Sequence, residues 1–261
     1  MIIGVYLRHI KAYKGITYIP IGLKYKFVTY LGENGVGKSS ILESLDCFFN
    51  NKNYSINKSA LTDGIYTKSN DPFITPIFII KKDKITRSKK DFEKLSNFFW
   101  DMNIKELATR TQSITKDFFS LRDELIDNNY KKDTHYLLVV GEKANTKNGC
   151  HFGPFQNSII DFFNKNTHNE TSFNDEVGEI NLKAYLPKNL LTELKDLYAF
   201  VYLPVELEAK SFTKIETIEM QKIFNKEIKS EIENALGNIN LDRANGINTK
   251  LSEFIDQIEL T

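Results

Sequence analysis

The chain of 261 residues carries 41% hydrophobic and 26% charged residues, the composition of an ordinary globular protein with a sizeable core. The formal net charge is +1, so no global field favours nucleic acid or a membrane surface, and only two cysteines are present, which argues against a disulfide scaffold. No apolar run approaches the roughly 20 residues of a membrane span, and no secretory signal precedes the first strand pattern, so we expect a cytoplasmic protein.

Residues 1–21 alternate well enough to predict a β-hairpin. Ile3, Val5 and Leu7 share one face, and a turn at Lys14-Gly15 leads into the second apolar run, 16–19. This hairpin precedes the glycine-rich stretch described next. Many enzymes with a phosphate-binding loop begin instead with the strand that leads into the loop, so the leading hairpin distinguishes this chain from them.

The stretch 26–40, KFVTYLGENGVGKSS, predicts a strand, a glycine-rich loop and then a helix from Ser39 to about Phe49. Residues 32–39 fit the phosphate-binding pattern G-x-x-x-x-G-K-[ST]. Glycines let the backbone turn sharply and approach a phosphate, successive N–H groups form an anion nest, and the helix directs its N-terminus at the same anion. The pattern therefore predicts nucleotide binding, with an ordinary glycine turn as the alternative.

The roles of the loop residues follow from this chemistry. Lys38, the predicted catalytic residue, would place a point charge on the β- and γ-phosphates, Ser39 would bind Mg²⁺, and Ser40 would add a hydroxyl to the α-phosphate. The expected cofactors are ATP and Mg²⁺. The predicted nucleotide contacts in the loop are Asn34, Gly35, Val36, Gly37, Lys38, Ser39 and Ser40.

Three stretches, LRHIKAYK at 7–14, GENGVGKSS at 32–40 and ILESL at 41–45, together resemble the start of an SMC-like ABC-class ATPase. That group includes SMC, RecF and OLD-type proteins and the SMC-like subunit of Lamassu-type anti-phage systems. Their heads open with a strand reading hydrophobic–x–x–hydrophobic–basic–x–aromatic, followed by G-x-N-G-x-G-K-S and a helix of the type ILEAL. The resemblance implies an α/β P-loop fold of the ABC-type head, and it places Lys11 near the bound nucleotide. The alternative for Lys11, a solvated strand residue, carries equal weight.

The second half of 71–80 reads as a buried strand. By the resemblance, a Q-loop that contacts Mg²⁺ and the attacking water would precede it, but no glutamine stands there. Asp71, Gln112 and Gln156 are the candidates, and the sequence does not place the Q-loop on any of them.

Residues 81–90 form the most basic segment of the chain, with Asp83 as its single acid. Such a patch can bind nucleic-acid phosphates without reading sequence, although a solvated hairpin tip is the more common meaning of this charge pattern. The predicted DNA contacts are Lys81, Lys82, Lys84, Arg87, Lys89 and Lys90.

The rest of the head alternates helices and strands. Helical periodicity over 91–110 and 115–128 predicts a helical insert at about 89–130, and 134–141 reads as a buried strand. Glu142 after it is rejected as a Walker B acid, because Gly141 stands where the motif needs aspartate. Helices are predicted at 155–164 and 190–198, and a strand at 199–203 before Pro204.

The predicted domains are 1–210, the N-terminal part of the head, and 211–261, a helical segment that begins a coiled-coil arm. A long helix stripe over 215–236 supports the arm. The sequence contains no LSGGQ-like signature and no acceptable Walker B, both of which the resemblance places after the arm. We therefore expect half a head that binds and hydrolyses nucleotide poorly alone.

The resemblance implies a second ATPase head, or a C-terminal half-head, as the partner, with DNA as a further ligand and no membrane contact. It favours a head that dimerises on ATP and acts on or senses DNA, in genome maintenance or in anti-phage or anti-plasmid defence. A non-hydrolysing nucleotide sensor that gates an effector such as a nuclease is the second interpretation. A metabolic P-loop kinase is the third, and it lacks a complete acid and acceptor site.

Overall fold

The computed structural model describes residues 1–23, 27–58, 71–144, 150–166 and 190–203. The chain divides into two units, 1–202 and 203–261, and all described residues except Leu203 belong to the first. The predicted arm at 211–261, with its long helix at 215–236, lies outside the described residues. Within the described part, no helix combines the length and the apolar character needed to cross a bilayer.

The described part is mixed α/β. Its strands are β1 (Ile2–Arg8), β2 (Ile16–Pro20), β3 (Phe73–Lys81), β4 (His135–Val139) and the short β5 (Glu142–Lys143). Its α-helices are α1 (Lys38–Phe49), α2 (Lys89–Asp101), α3 (Thr109–Asp127), α4 (Gln156–Asn166) and α5 (Leu190–Asp196). Single 3₁₀ turns cover Lys82–Lys84, Ile104–Glu106 and Gly153–Phe155.

The strands form one antiparallel sheet in the order β2-β1-β3-β4, with β5 pairing the start of β3. The predicted hairpin is confirmed, and Arg8 pairs with Ile16 at its closed end. On its other side β1 pairs with β3, where Arg8 is opposite Phe73. Residues of both faces of β1 and β3 are buried along most of their length, so the alternation of Ile3, Val5 and Leu7 marks no solvent face.

Helices α2 and α3 connect the neighbouring strands β3 and β4 and pack into the core. The backbone N–H of Leu137 in β4 donates to Ser96 Oγ of α2 at 3.0 Å, and Trp100 Nε1 donates to the carbonyl of His135 at 3.2 Å. Aromatic rings fill the space between these helices and the 3₁₀ turn that precedes α4. The members of this cluster are Phe98, Phe99, Phe118, Phe119, Phe155 and Phe162.

The boundaries of these two helices differ from the prediction. The helix expected over 91–110 ends at Asp101, and the one expected from 115 begins at Thr109. The break falls at Asn103, whose side chain accepts a hydrogen bond from Lys105 N at 3.0 Å and starts a 3₁₀ turn instead. Met102, Ile104 and Leu107 still pack against the core in the break between the helices. The apolar spacing therefore continues past the end of α2, although the helix does not.

Two predicted strands are wrong. The strand expected at 26–31 is absent over 27–31, and the strand expected at 199–203 carries no ladder. Both sequences are β-prone, but a strand requires a neighbour for its N–H and C=O groups, and in the described part no strand pairs with either segment. The side-chain hydroxyl of Tyr30 makes one link to the sheet, donating to the carbonyl of Pro20 at 3.0 Å.

Candidate functional site

The phosphate-binding pattern forms an open loop at the start of α1. Gly35 and Gly37 adopt φ values of 87° and 101°, which residues with a Cβ rarely adopt. Gly37 is the N-cap of α1, and no side chain caps the helix start. Because Gly37 has no side chain to accept from the first N–H groups of α1, a bound anion can serve as their acceptor. The predicted helix from Ser39 to about Phe49 is confirmed and begins one residue earlier.

Lys38 folds back over this loop. Its Nζ donates to the carbonyl oxygens of Gly32 and Glu33, both at 2.6 Å. Lys38 also occupies the first position of α1, whose first turn contains no acidic residue. A cation there opposes the helix macrodipole, so an anion bound in the loop would relieve an unfavourable arrangement of charge.

Most of the other loop residues are open to solvent, but Gly37 is buried. Asn34, Gly35, Val36 and Ser39 are exposed, and Ser40 is half-buried. The carbonyl of Ser40 accepts a hydrogen bond from the Ser44 hydroxyl within α1. Ser39 itself is exposed, and its predicted role as a Mg²⁺ ligand stays a prediction.

The residues of this chain fit a nucleotide phosphate better than a metal ion alone. The glycine backbone, the helix start and Lys38 all favour an anion. In the described ranges no group of three or more His, Cys, Asp or Glu side chains could hold a metal. Ser39 would thus supply a single protein oxygen, with the remaining Mg²⁺ ligands coming from phosphates and water, a mode common for this ion.

A kink after β1 carries Lys11 to the same helix. His9 and Lys11 have φ values of 54° and 49°, positive values that are uncommon for residues with a Cβ. The kink is held by Lys11 N donating to Ser55 O at 2.9 Å and by Asn57 N donating to His9 O at 2.8 Å. At its end the Tyr13 hydroxyl donates to the carbonyl of Gly37 at 3.2 Å. Lys11 therefore lies in the turn after β1, two residues before the tyrosine that contacts the phosphate loop.

Neither glutamine considered for the Q-loop stands free of a structural role. Gln112 Nε2 donates to Leu107 O at 2.7 Å near the start of α3, and Gln156 Oε1 accepts from Phe152 N at 2.9 Å at the start of α4. Asp71 forms an ion pair with Lys143 at 3.0 Å.

Glu142 lies at the far end of α1 from the phosphate loop. Its carboxylate accepts from the Tyr54 hydroxyl at 2.6 Å and pairs with Lys195 Nζ at 2.8 Å. Lys195 also donates to Asn51 Oδ1 at 3.0 Å, and Asn51 directly follows the C-cap of α1. The 12 residues of α1 separate this cluster from the loop by about 18 Å.

In the basic segment 81–90, one lysine forms an ion pair and most of the other basic side chains are exposed. Lys82 Nζ forms an ion pair with Glu93 at 2.7 Å and lies 5.2 Å from the centre of the Tyr136 ring. A shallow surface depression of about 630 Å³ lies beside this ring, and it is lined by Lys82, Lys89, Lys90 and Lys94 together with the acids Asp83 and Glu93. The exposed members of the segment are Lys81, Lys84, Arg87, Lys89 and Lys90, although the backbone N–H of Arg87 also donates to Glu193.

One buried histidine, His151, lies outside the motifs described above. The His151 ring stacks on Phe73 at 4.4 Å, and its Nδ1 accepts from Gly153 N at 3.0 Å. Burial, followed by the charges of Arg8 and Lys143, lowers the pKa of His151 to about 3. This histidine is a neutral core residue, and its hydrogen bond fixes the turn before α4.

Comparison of the chain with protein-family models, with curated proteins and with solved structures finds no significant match. Its function is therefore inferred from the residues of the site.

Proposed function

We propose that this chain is the ATP-binding head of an SMC-like ABC-class ATPase. The observation that carries the proposal is the loop 32–39: two glycines with positive φ, an uncapped helix start, and Lys38 placed over the loop. These three features favour a polyphosphate over other anions, because the donors follow one another along the chain. ATP and Mg²⁺ are the proposed cofactors, with Ser39 as the Mg²⁺ ligand and Asn34 to Ser40 as the phosphate contacts.

A second ATPase head or half-head is the proposed partner. The segment just before the loop is rich in β-prone residues and has no strand partner in the described part of the chain. Its side chains Phe27 and Leu31 are 81% and 90% exposed, and Val36 in the loop is also exposed. An apolar segment beside the proposed nucleotide site is suited to contact with another protein surface. ATP would then favour the closed pair, and hydrolysis would release it.

The alternative proposal is a nucleotide sensor that does not hydrolyse ATP and gates an effector such as a nuclease. The position of Glu142 favours a sensor over an enzyme that hydrolyses ATP alone. Its carboxylate contacts Tyr54 and Lys195 at the far end of α1 from the phosphate loop, where it cannot activate a water molecule beside the phosphates. Both proposals predict low turnover by this chain alone. They differ in whether a partner restores hydrolysis.

DNA is the proposed ligand of the exposed part of the basic segment. Lys89 and Lys90 stand in the first turn of α2, where the helix dipole disfavours cations, so a phosphate nearby would relieve their repulsion. Phosphate contacts of this kind bind without reading sequence and weaken as salt rises. The biological role we propose, genome maintenance or defence against phages and plasmids, follows the family resemblance alone.

The nucleotide proposal is tested by calorimetric titration of the full chain with MgATP, carried to millimolar concentrations. We expect saturable binding that falls at least tenfold in Lys38→Ala, because the mutation removes the principal cation of the site. Lys14→Ala is the matched control, since Lys14 is an exposed lysine outside the loop. Equal binding by the wild type and Lys38→Ala, or no binding at all, would contradict the proposal.

The DNA proposal is tested by fluorescence anisotropy with a labelled random-sequence duplex at several salt concentrations. The double variant Lys89→Gln/Lys90→Gln should weaken binding and lower the salt slope by about 2, because two DNA phosphates are then no longer neutralised by a lysine. A duplex affinity that is unchanged by the double variant would exclude this surface.

A further inference from the structure

Glu43 is joined to Lys11 across the start of the first helix. The Lys11 ammonium and the Glu43 carboxylate form an ion pair, with the two side chains 32% and 27% exposed. Glu43 follows Ser39 by one helical turn, so both side chains lie on the same face of α1. The ion pair thus links α1 to the turn that follows β1.

The backbone of Lys11 is fixed independently of this ion pair. Lys11 N donates to Ser55 O, and Asn57 Nδ2 donates to Lys11 O at 2.6 Å. Lys11 also has a positive φ of 49°, a conformation that persists in non-glycine residues only where the surroundings impose it. Because the backbone of Lys11 is held in this way, the ion pair with Glu43 determines the direction of the Lys11 side chain.

The next two residues bring this kink onto the phosphate loop. A Cβ added to Gly37 would stand 3.2 Å from Ala12 Cβ and 3.2 Å from the Tyr13 ring. The carboxylate of Glu43 has a further polar neighbour, because the Tyr202 hydroxyl donates to its Oε1 at 3.4 Å. Glu43 is thus contacted by Lys11 from the turn after β1 and by Tyr202 from the segment after α5.

We propose that Glu43 is a positioning residue for the nucleotide site. It holds the Lys11 ammonium beside the loop, so that Lys11 meets the phosphates of MgATP as a second cation with Lys38. The tether reduces the conformational freedom that a lysine loses on binding, and this preorganisation raises affinity. The inference rests on the proposed nucleotide function, and it adds a residue to that site.

The test is a double-mutant cycle on the full chain with Glu43→Gln, Lys11→Met and both together. MgATP affinity is measured by calorimetry, and the melting temperature is measured without ligand. Glu43→Gln should weaken MgATP binding about fivefold, and Lys11→Met at least as much. The double variant should bind no more weakly than Lys11→Met alone, because Glu43 acts through Lys11.

A charge-swapped variant, Lys11→Glu/Glu43→Lys, separates positioning from structural support. It restores the ion pair with the opposite polarity and should recover the melting temperature of the unliganded protein. It should not recover MgATP affinity, because an acid then stands at position 11 beside the phosphates.

The inference is overturned by full additivity of the two single mutations, by recovery of MgATP affinity in the swapped variant, or by Glu43→Gln binding that is as tight as or tighter than wild type. The proposed function fails in a different way. Wild-type protein that does not bind MgATP in a Lys38-dependent manner overturns the nucleotide site and this inference with it. Wild-type binding that requires Lys38 but is unaffected at Glu43 overturns this inference alone.

Discussion

Gly141 approaches the backbone of Ile74 so closely that a Cβ on Gly141 would stand 1.9 Å from the Ile74 carbonyl oxygen and 2.5 Å from Thr75 Cα. The same glycine exchanges backbone hydrogen bonds with His151, at 2.8 and 2.9 Å. Position 141 is where a Walker B motif in the strand at 134–141 would place its aspartate. The backbone contact gives a physical reason for rejecting that motif, because no side chain fits there.

We predict that Gly141→Ala destabilises the protein by at least 3 kcal/mol, since rigid backbone must move to accept the methyl group. The measurement is the free energy of unfolding by urea denaturation. Gly4→Ala is the matched control, because its Cβ would meet the ring edge of Tyr18 at 2.9 Å, and a side chain can shift. Equal losses for the two variants would show that the sheet adapts at Gly141.

The two loop glycines allow a finer comparison. Gly35→Ala and Gly37→Ala should each cost about 1–2 kcal/mol of stability, because each has positive φ. A Cβ at Gly35 has no atom within 4 Å, whereas one at Gly37 would press on Ala12 and Tyr13. Gly37→Ala should therefore lose more stability by urea denaturation and displace the kink that carries Lys11. Identical losses of stability in the two variants would mean that Ala12 and Tyr13 do not pack tightly against the loop.

Arg122 caps the end of α2 from the neighbouring helix. Its Nη1 donates to the carbonyl oxygens of Phe99, Trp100 and Met102, at 3.2, 3.1 and 2.5 Å. Arg122→Met should cost about 2–3 kcal/mol by thermal or urea unfolding, because the carbonyl groups lose a charged donor. Arg122→Lys should recover part of this loss, and Lys116→Met, at an exposed position of the same helix, should change little. Equal stability of Arg122→Met and wild type would contradict the capping role.

Stability should depend on pH through His151. Its folded pKa of about 3 lies below the ordinary value of 6.5, so the unfolded chain binds the proton first. The contribution is complete above about pH 6.5 and is lost as pH falls toward 3, with a slope approaching 1.4 kcal/mol per pH unit. His151→Asn keeps a hydrogen-bond acceptor and should flatten the unfolding free energy between pH 6.5 and 4. A slope unchanged from wild type would exclude His151 as its source.

The local sequence pattern was sufficient to predict the elements whose signals lie within one short stretch of the chain. The hairpin of β1 and β2, the start of α1, and the buried strands β3 and β4 follow from periodicity and from glycine spacing. Contacts between segments distant in sequence could not be predicted from the local pattern. The sequence placed a strand at 26–31 because its residues favour one, but strand formation depends on a neighbour that the local pattern cannot supply.

The candidate site divides in the same way. The phosphate loop is contiguous, so its spacing predicted the residues that the structure brings together. The ion pair of Lys11 with Glu43 joins two segments distant in sequence, and no residue type signals the positive φ of His9 and Lys11 in the turn that carries Lys11. Glu142 likewise owes its setting to Tyr54 and Lys195, which lie on segments distant in sequence.

The central claim, that the loop at 32–39 binds a nucleotide through its phosphates, is tested most directly with a series of ligands. The shift of the melting temperature is measured at equal concentrations of adenosine, AMP, ADP, ATP and tripolyphosphate, each with Mg²⁺, for wild type and Lys38→Ala. We predict a stabilisation that rises from AMP to ATP, that tripolyphosphate partly reproduces, and that Lys38→Ala removes. A shift that is independent of phosphate number, or equal in the two proteins, would contradict the account.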